Sequence, residues 1–240
     1  MVRILTYNVH RCVGVDGRLD VGRIAAVIAA QAPDIVALQE VDVGRARTGH
    51  VDQAVAIAQR LNMTSRFNAT VKVEEELYGD ALLTCFPERL VKSGPLPGYR
   101  PMPRLEPRGA LWVAVTVGKA ELHVINTHLG LVPMEQRVQA RALASQDWLE
   151  HPERADPAIL LGDFNAGASS FVARCLLSRL SDARRAASHR TPTFPSRLPV
   201  GQIDHVFVSP GVKVRSIHVP NDILARQASD HLPLVVDFEL

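Results

Sequence analysis

One feature constrains this chain more than any other: short apolar runs that stop on an acid, an amide or an imidazole. Ala158 to Leu161 is apolar on both faces, is punctuated by Gly162, and delivers Asp163 and Asn165. Such a run reads as a strand buried on both sides. Residues 2–7 end in the same way on Asn8, Val9 and His10, and Ile35-Val36-Ala37-Leu38 ends on Gln39 and Glu40. Residues 121–126 lead into Thr127 and His128, Ile203 leads into Asp204 and His205, and Ser229-Asp230-His231 precedes Leu232. Any one of these is explained by an Asx turn that closes a strand. The set is not, because polar groups at buried strand ends are costly unless they line a cleft and meet a metal, a water or a phosphate.

The segments between these runs point to a mixed α/β chain. Helical spacing predicts helices over 21–31, N-capped by Asp20, over 51–61, over 134–150 as the longest, and over 169–180. Strands are expected at 65–73, 80–85, 110–117, 203–208, 212–219 and 232–238, with Gly118-Lys119 turning 110–117 back onto 121–126. Residues 86–108 hold six of the 16 prolines, which excludes a long helix or a central strand and predicts a surface excursion bordering a site. A basic loop is expected at 184–200. No repeat, low-complexity stretch or linker interrupts the 240 residues, so one domain spanning 1–240 is expected.

Composition excludes some partners. A formal net charge of +2 gives no global field toward nucleic acid or anionic membrane. Local clusters remain, with Arg100, Arg104 and Arg108 in one loop and Arg184, Arg185 and Arg190 in another. Cys12, Cys85 and Cys175 show no zinc spacing and read as buried reduced thiols. No apolar run approaches the ~20 residues of a membrane span. These observations together lead to an expected cytoplasmic location.

The strand-end residues suit one chemistry. Glu40, helped by Asp230 or Asn8, offers the hard oxygen ligands preferred by Mg²⁺ or Mn²⁺. Asp163 can activate or orient a water for in-line attack. A histidine held by a carboxylate can stay protonated and stabilise charge on phosphorus. Asp204, set among Ile203, Val206, Phe207 and Val208, needs a partner, and a histidine is the natural one.

Tyr7-Asn8, Leu38-Gln39-Glu40, Thr127-His128-Leu129, Gly162-Asp163-Phe164-Asn165, Ile203-Asp204-His205 and Ser229-Asp230-His231, in this order, resemble the endonuclease/exonuclease/phosphatase superfamily with its DNase-I-like fold. The stretch from Glu106 to Leu111 further resembles small bacterial metal-dependent hydrolases. The resemblance implies a four-layered α/β sandwich, with two packed mixed β-sheets flanked by helices and the active site at one rim. It implies that Glu40 is the principal metal ligand with Asn8 beside it, and that Asp230 completes the metal or histidine environment. Asp163 would position or deprotonate the water, Asn165 would hold the water or the phosphate, and His231, oriented by Asp204, would contact the scissile phosphate. His128 would contact phosphate or assist the leaving group. Whether Asp163 or His231 is the general base stays open, as does whether Arg108 binds a phosphate oxygen or forms a structural ion pair.

Departures narrow the substrate. His10 stands where abasic-site nucleases of this superfamily carry an acid, and His128 where they carry tyrosine, which argues against a repair enzyme of the exonuclease III kind. Asp80 replaces an asparagine frequent in relatives and is expected to orient His128. The leading expectation is a Mg²⁺/Mn²⁺-dependent phosphodiesterase acting on nucleic acid, a lipid head group or a small phosphodiester. A phospholipid or sphingolipid head-group phosphodiesterase, a phosphomonoesterase and a catalytically inactive binding module are the alternatives. Lipid would call for exposed apolar residues in 86–105, such as Leu90, Leu96, Tyr99 and Met102. DNA would call for arginines 104, 108, 184, 185 and 190 to converge on the rim.

Overall fold

Two mixed six-stranded sheets lie face to face. In the computed structural model, which describes residues 1–187 and 189–240, the chain opens with β1 (Val2–Asn8), α1 (Val21–Ala29), β2 (Ile35–Val43) and α2 (Gln53–Leu61). A hairpin of β3 (Thr64–Val73) and β4 (Glu76–Thr84) follows, then β5 (Glu88–Pro95), β6 (Gly109–Val117) and β7 (Ala120–His128). The second half runs α3 (Pro133–Leu143), β8 (Ala158–Asp163), α4 (Phe171–Leu176), β9 (Ser181–Asp182) and β10 (Asp204–Val208). It ends with β11 (Lys213–His218), α5 (Ile223–Ala228) and β12 (Leu234–Glu239). One six-stranded sheet has the order β11-β12-β1-β2-β4-β3 and the other β5-β6-β7-β8-β10-β9.

Side-chain direction then sets the layers. Val2 and Ile4 of β1 pack with Val113 of β6 and Leu161 of β8 in the core between the sheets. Leu5 and Tyr7, one residue out of phase, pack outward against Ile24 and Ile28 of α1 and Ile57 of α2. Trp112 and Leu160 face outward from the second sheet against Leu143 and Leu176. Helix, sheet, sheet, helix is the four-layered sandwich that the family resemblance implies.

Several boundaries differ from the sequence expectation. The third helix stops at Leu143 rather than residue 150, because Ser145 Oγ donates to the Ala142 carbonyl and Trp148 N to the Ser145 carbonyl, closing a turn. The helix expected at 169–180 is only α4, and α5 lies where a plain loop was expected. The proline-rich stretch is not wholly an excursion. Its first part is β5, an edge strand, where proline is tolerated. Glu40 is not at the end of its strand: β2 continues to Val43 past a register shift between Leu38 and Val41. Of the cysteines, which are all free, only Cys12 is buried. Cys85 is exposed, so the expectation of three buried thiols fails there. Residue 188, within the expected basic loop, lies outside the described residues.

A buried polar ladder ties the sheets together just beneath the strand ends. Gln39 Nε2 donates to Thr6 Oγ1 at 3.1 Å and to Asn126 Oδ1 at 2.7 Å. Asn126 Nδ2 in turn donates to the carbonyls of Leu38 and Ala81, both at 2.9 Å. Asn126→Ala strips partners from three fully buried groups and is expected to cost about 3 kcal/mol, read as a lower urea midpoint with an unchanged m-value.

Candidate active site

The centre of the site is built by register. β8 lies between β7 and β10, so Asp163 has His128 as its neighbour on one side and Asp204 on the other. Close approach of the chains before it requires Gly162, which has φ +140° and whose Cβ would fall 1.8 Å from the Thr127 carbonyl oxygen. Asp163 is buried at the bottom of the arrangement. Its Oδ1 accepts from Asn165 N at 2.9 Å and its Oδ2 from Asn8 Nδ2 at 3.0 Å, across the gap between the sheets. Two imidazoles complete its surroundings, His128 Nε2 and His231 Nε2, each 3.5 Å from Oδ2. Burial, aided by the nearby Asp204 charge, pushes the Asp163 carboxyl up to about 7.

His231 and Asp204 form the expected pair. His231 Nδ1 donates to Asp204 Oδ2 at 3.0 Å, leaving Nε2 directed at Asp163. Burial opposes charge on this ring, but the carboxylates of Asp204 and Asp163 outweigh it and raise the pKa to about 10, so the ring is an imidazolium at neutral pH. Thr193 Oγ1 also donates to Asp204 Oδ2, at 2.5 Å, while Phe194 packs on the His231 ring with centroids 4.8 Å apart. The loop carrying His231 is pinned twice: Ser229 Oγ donates to the Asn8 carbonyl and Ser196 N to the Asp230 carbonyl.

His128 is the opposite case. Burial and the Arg108 charge hold its pKa well below the ordinary histidine value, so it is neutral. Arg108 Nη1 lies 3.1 Å from His128 Nδ1, and because a guanidinium only donates, the ring proton sits on Nε2. That Nε2 lies 3.5 Å from Asp163 Oδ2 and 3.1 Å from Asn165 Nδ2, which gives its own proton to the Leu129 carbonyl at 3.0 Å. Arg108 is itself paired with Glu106 at 2.7 Å. Asp80 does not take the role expected of it. It makes no hydrogen bond to His128; its Oδ2 is buried without a partner, and burial pushes its pKa up to about 8.

On the solvent side, Glu40 Oε1 accepts from Asn8 Nδ2 at 3.1 Å, so Asn8 bridges Glu40 and Asp163, while Asn8 Oδ1 accepts from His10 N. Glu40 and Asp230 line a polar cleft of about 290 Å³ together with Arg108, Glu106, Arg47, Tyr78, His10 and Arg11. The backbone around it is strained. Glu40, Asn165, His10, Arg11 and Cys12 all have φ between 45° and 59°, a conformation that costs non-glycine residues about 1–3 kcal/mol each and persists only when the surroundings enforce it.

All nine residues singled out from the sequence, Asn8, Glu40, Arg108, His128, Asp163, Asn165, Asp204, Asp230 and His231, thus gather at one rim. Of the arginines that DNA would call for, Arg108 is among them and Arg184 is not. Arg184 is half-buried behind the site, bonded to His205 Nδ1 and the Asp204 carbonyl, so it is withdrawn from any DNA-facing rim. Sequence reasoning also missed Thr193, Ser196 and the His10-Arg11 turn. Ligand atoms of Asp163, Asp204 and His231 lie within 4.8 Å of one another, the spacing of a group that could hold a metal. Glu40 and Asp230 line one cleft with Glu106, a set of hard oxygens that fits a divalent cation, while Asp204 Oδ1 is buried with no hydrogen-bond partner.

Residues 5–231 match the endonuclease/exonuclease/phosphatase family model. The chain belongs to that family. An endonuclease/exonuclease/phosphatase from Beutenbergia cavernae is 27% identical with a TM-score of 0.80, covering 100% of this chain and 71% of that one. A mannosyl-6-phosphatase of Bacteroides thetaiotaomicron (20% identity, TM-score 0.81, full coverage of both chains) shares the fold. So does the human Nocturnin catalytic domain (21% identity, TM-score 0.73, 99% of this chain and 93% of that one). No curated protein matches. As a member of the endonuclease/exonuclease/phosphatase family, the protein is a hydrolase acting on phosphate esters. Among the described residues no helix is long and apolar enough to cross a membrane.

Proposed function

We propose that this protein is a Mg²⁺- or Mn²⁺-dependent phosphodiesterase that cleaves a P–O bond by in-line attack of water and works as a single domain in the cytoplasm. The observation that carries this reading is Asp163, buried between a neutral and a charged imidazole at the foot of a cleft whose mouth holds Glu40. Glu40, with Asp230 and Asn8, would hold the cation, which supplies neutralisation of a phosphate oxygen and of the leaving alkoxide. A histidinium is a poor ligand, so the Asp163–His231–Asp204 group is read as the acid–base apparatus rather than the ion's cage. Asp163, above its pKa of about 7, accepts a proton from water or orients it. His231 presents Nε2–H to the phosphate, and Asp204 keeps that proton in place. His128 offers its Nε2–H to a phosphate or leaving-group oxygen, with its tautomer fixed by Arg108, and Asn165 orients the same atoms.

Hydrolysis of bis-(p-nitrophenyl) phosphate tests this directly. Activity is expected with Mg²⁺ or Mn²⁺ and is expected to vanish with excess chelator. Glu40→Ala should lower kcat/KM by about 10²-fold or more and raise the Mg²⁺ concentration needed for half activity. Full activity in chelator would remove the metal from the mechanism. A second reading, a diester with an apolar leaving group such as a lipid, has one observation in its favour. An apolar pocket of about 460 Å³, including Leu96, Tyr99, Met102 and Leu105, shares Glu106 with the polar cleft. Parallel assays on sphingomyelin, phosphatidyl lipids, plasmid DNA and phosphomonoesters separate these substrates.

A further inference from the structure

Arg11 stands apart from the other arginines of the cleft. Arg47 is bound through two nitrogens to Asp42 and lies over the Tyr78 ring, and Arg108 is paired with Glu106. Among the described residues Arg11 has no carboxylate partner. Its Nη2 donates to His10 Nε2 at 2.7 Å, and that nitrogen is able to accept because His10 Nδ1 donates to the Val13 carbonyl at 3.0 Å. Its Nε is buried and has no hydrogen-bond partner.

The turn that carries Arg11 is left-handed at three successive residues, none of them glycine. It is clamped from both ends. Asn8 Oδ1 accepts from His10 N at 3.1 Å, and the buried Gln53 Nε2 donates to the Arg11 carbonyl at 2.7 Å. Held strain of this kind marks ligand clamps. What the turn presents to the cleft is a cation lacking only an anion. The groups assigned to the scissile phosphate, His128, His231 and Asn165, surround Asp163 instead.

We infer that Arg11, with Arg47 beside it in the cleft, binds a second phosphate group carried on the same small molecule as the scissile ester. This rests on the phosphoesterase reading for the site next to it. A cleft of about 290 Å³ suits a compact molecule with two phosphates. A net charge of +2 does not suit a long polyanion, whose binding draws on many phosphate contacts.

The test is titration calorimetry with adenosine 3′,5′-bisphosphate and adenosine 5′-monophosphate at fixed free Mg²⁺, alongside bis-(p-nitrophenyl) phosphate hydrolysis. The bisphosphate is expected to bind about tenfold or more tighter than the monophosphate. Arg11→Ala should erase most of that preference and Arg11→Lys should keep part of it, both with melting temperatures close to the parent's. Equal affinities in the parent overturn the inference, as does an Arg11→Ala protein that keeps the preference. A preference shown by oligonucleotides alone, with none for the small bisphosphate, also overturns it. Bisphosphate preference without ester hydrolysis would sink the phosphoesterase reading and leave the second-phosphate site standing; hydrolysis without preference would do the reverse.

Discussion

Asp163→Asn is expected to lower kcat/KM on bis-(p-nitrophenyl) phosphate by about 10³-fold while leaving a protein that is, in chelator at pH 8, more stable than the parent. The loss of activity follows from geometry. Every partner of this carboxylate donates or faces it with a proton: Asn8, Asn165, His231 and His128. An amide keeps the shape but can neither accept the water's proton nor balance the imidazolium. The gain in stability follows from linkage. Burial raises this acid from 3.8 unfolded to about 7 folded, so between those values the native state keeps a proton that the unfolded state has lost. Stability contributed at this position is therefore full below about pH 4, declines as pH rises toward about 7, and stays low above it. Asn carries no such burden. The difference in melting temperature between variant and parent should widen from pH 5 to pH 8. An inactive variant that is equally destabilised at both pH values would show that Asp163 is a structural group and not a strained functional one.

The strand ends were legible because burying an apolar run on both faces leaves little freedom in where its last polar residues go. Asn8, His128 and Asp163 were singled out from the set of such ends taken together, whereas the layers followed only from the family resemblance; in the structure Ile4 faces the core between the sheets and Leu5 the helix layer. What the pattern misses is backbone that departs from its expected state. Glu40 sits at a bulge inside β2, and nothing in Leu38-Gln39-Glu40-Val41 announces a left-handed residue there. The His10-Arg11-Cys12 turn is harder still, since positive φ is expected of glycine and these residues adopt it through bonds to Asn8 and Gln53, the second of them more than forty residues away. Arg184 falls in a stretch whose sequence gives only a basic loop; its half-burial depends on His205 and the Asp204 carbonyl, which arrive from another strand. Local composition identifies which groups need partners, and only the tertiary arrangement decides which partner each one gets.

Asp204→Asn is the variant that separates an oriented, charged His231 from a merely packed one. In the parent, burial alone would discharge the ring, and the carboxylates of Asp204 and Asp163 reverse that and hold its pKa at about 10. If the imidazolium is the working form, activity persists through the weakly alkaline range and falls as pH rises through that value. With asparagine at 204 the larger of the two carboxylate contributions is gone while burial remains. The alkaline limb of kcat/KM should then move down by about two pH units or more, and activity at pH 8 should drop by about 10²-fold, with a smaller loss at pH 6. The sign matters: a ring acting as a neutral base would instead gain activity at lower pH once its pKa fell. His231→Ala removes the group outright and should give a profile without that limb at any pH. An Asp204→Asn profile that keeps the parent's alkaline limb, at whatever height, would mean that the charge on His231 is not what Asp204 controls, and the histidine would have to act through its hydrogen bond alone.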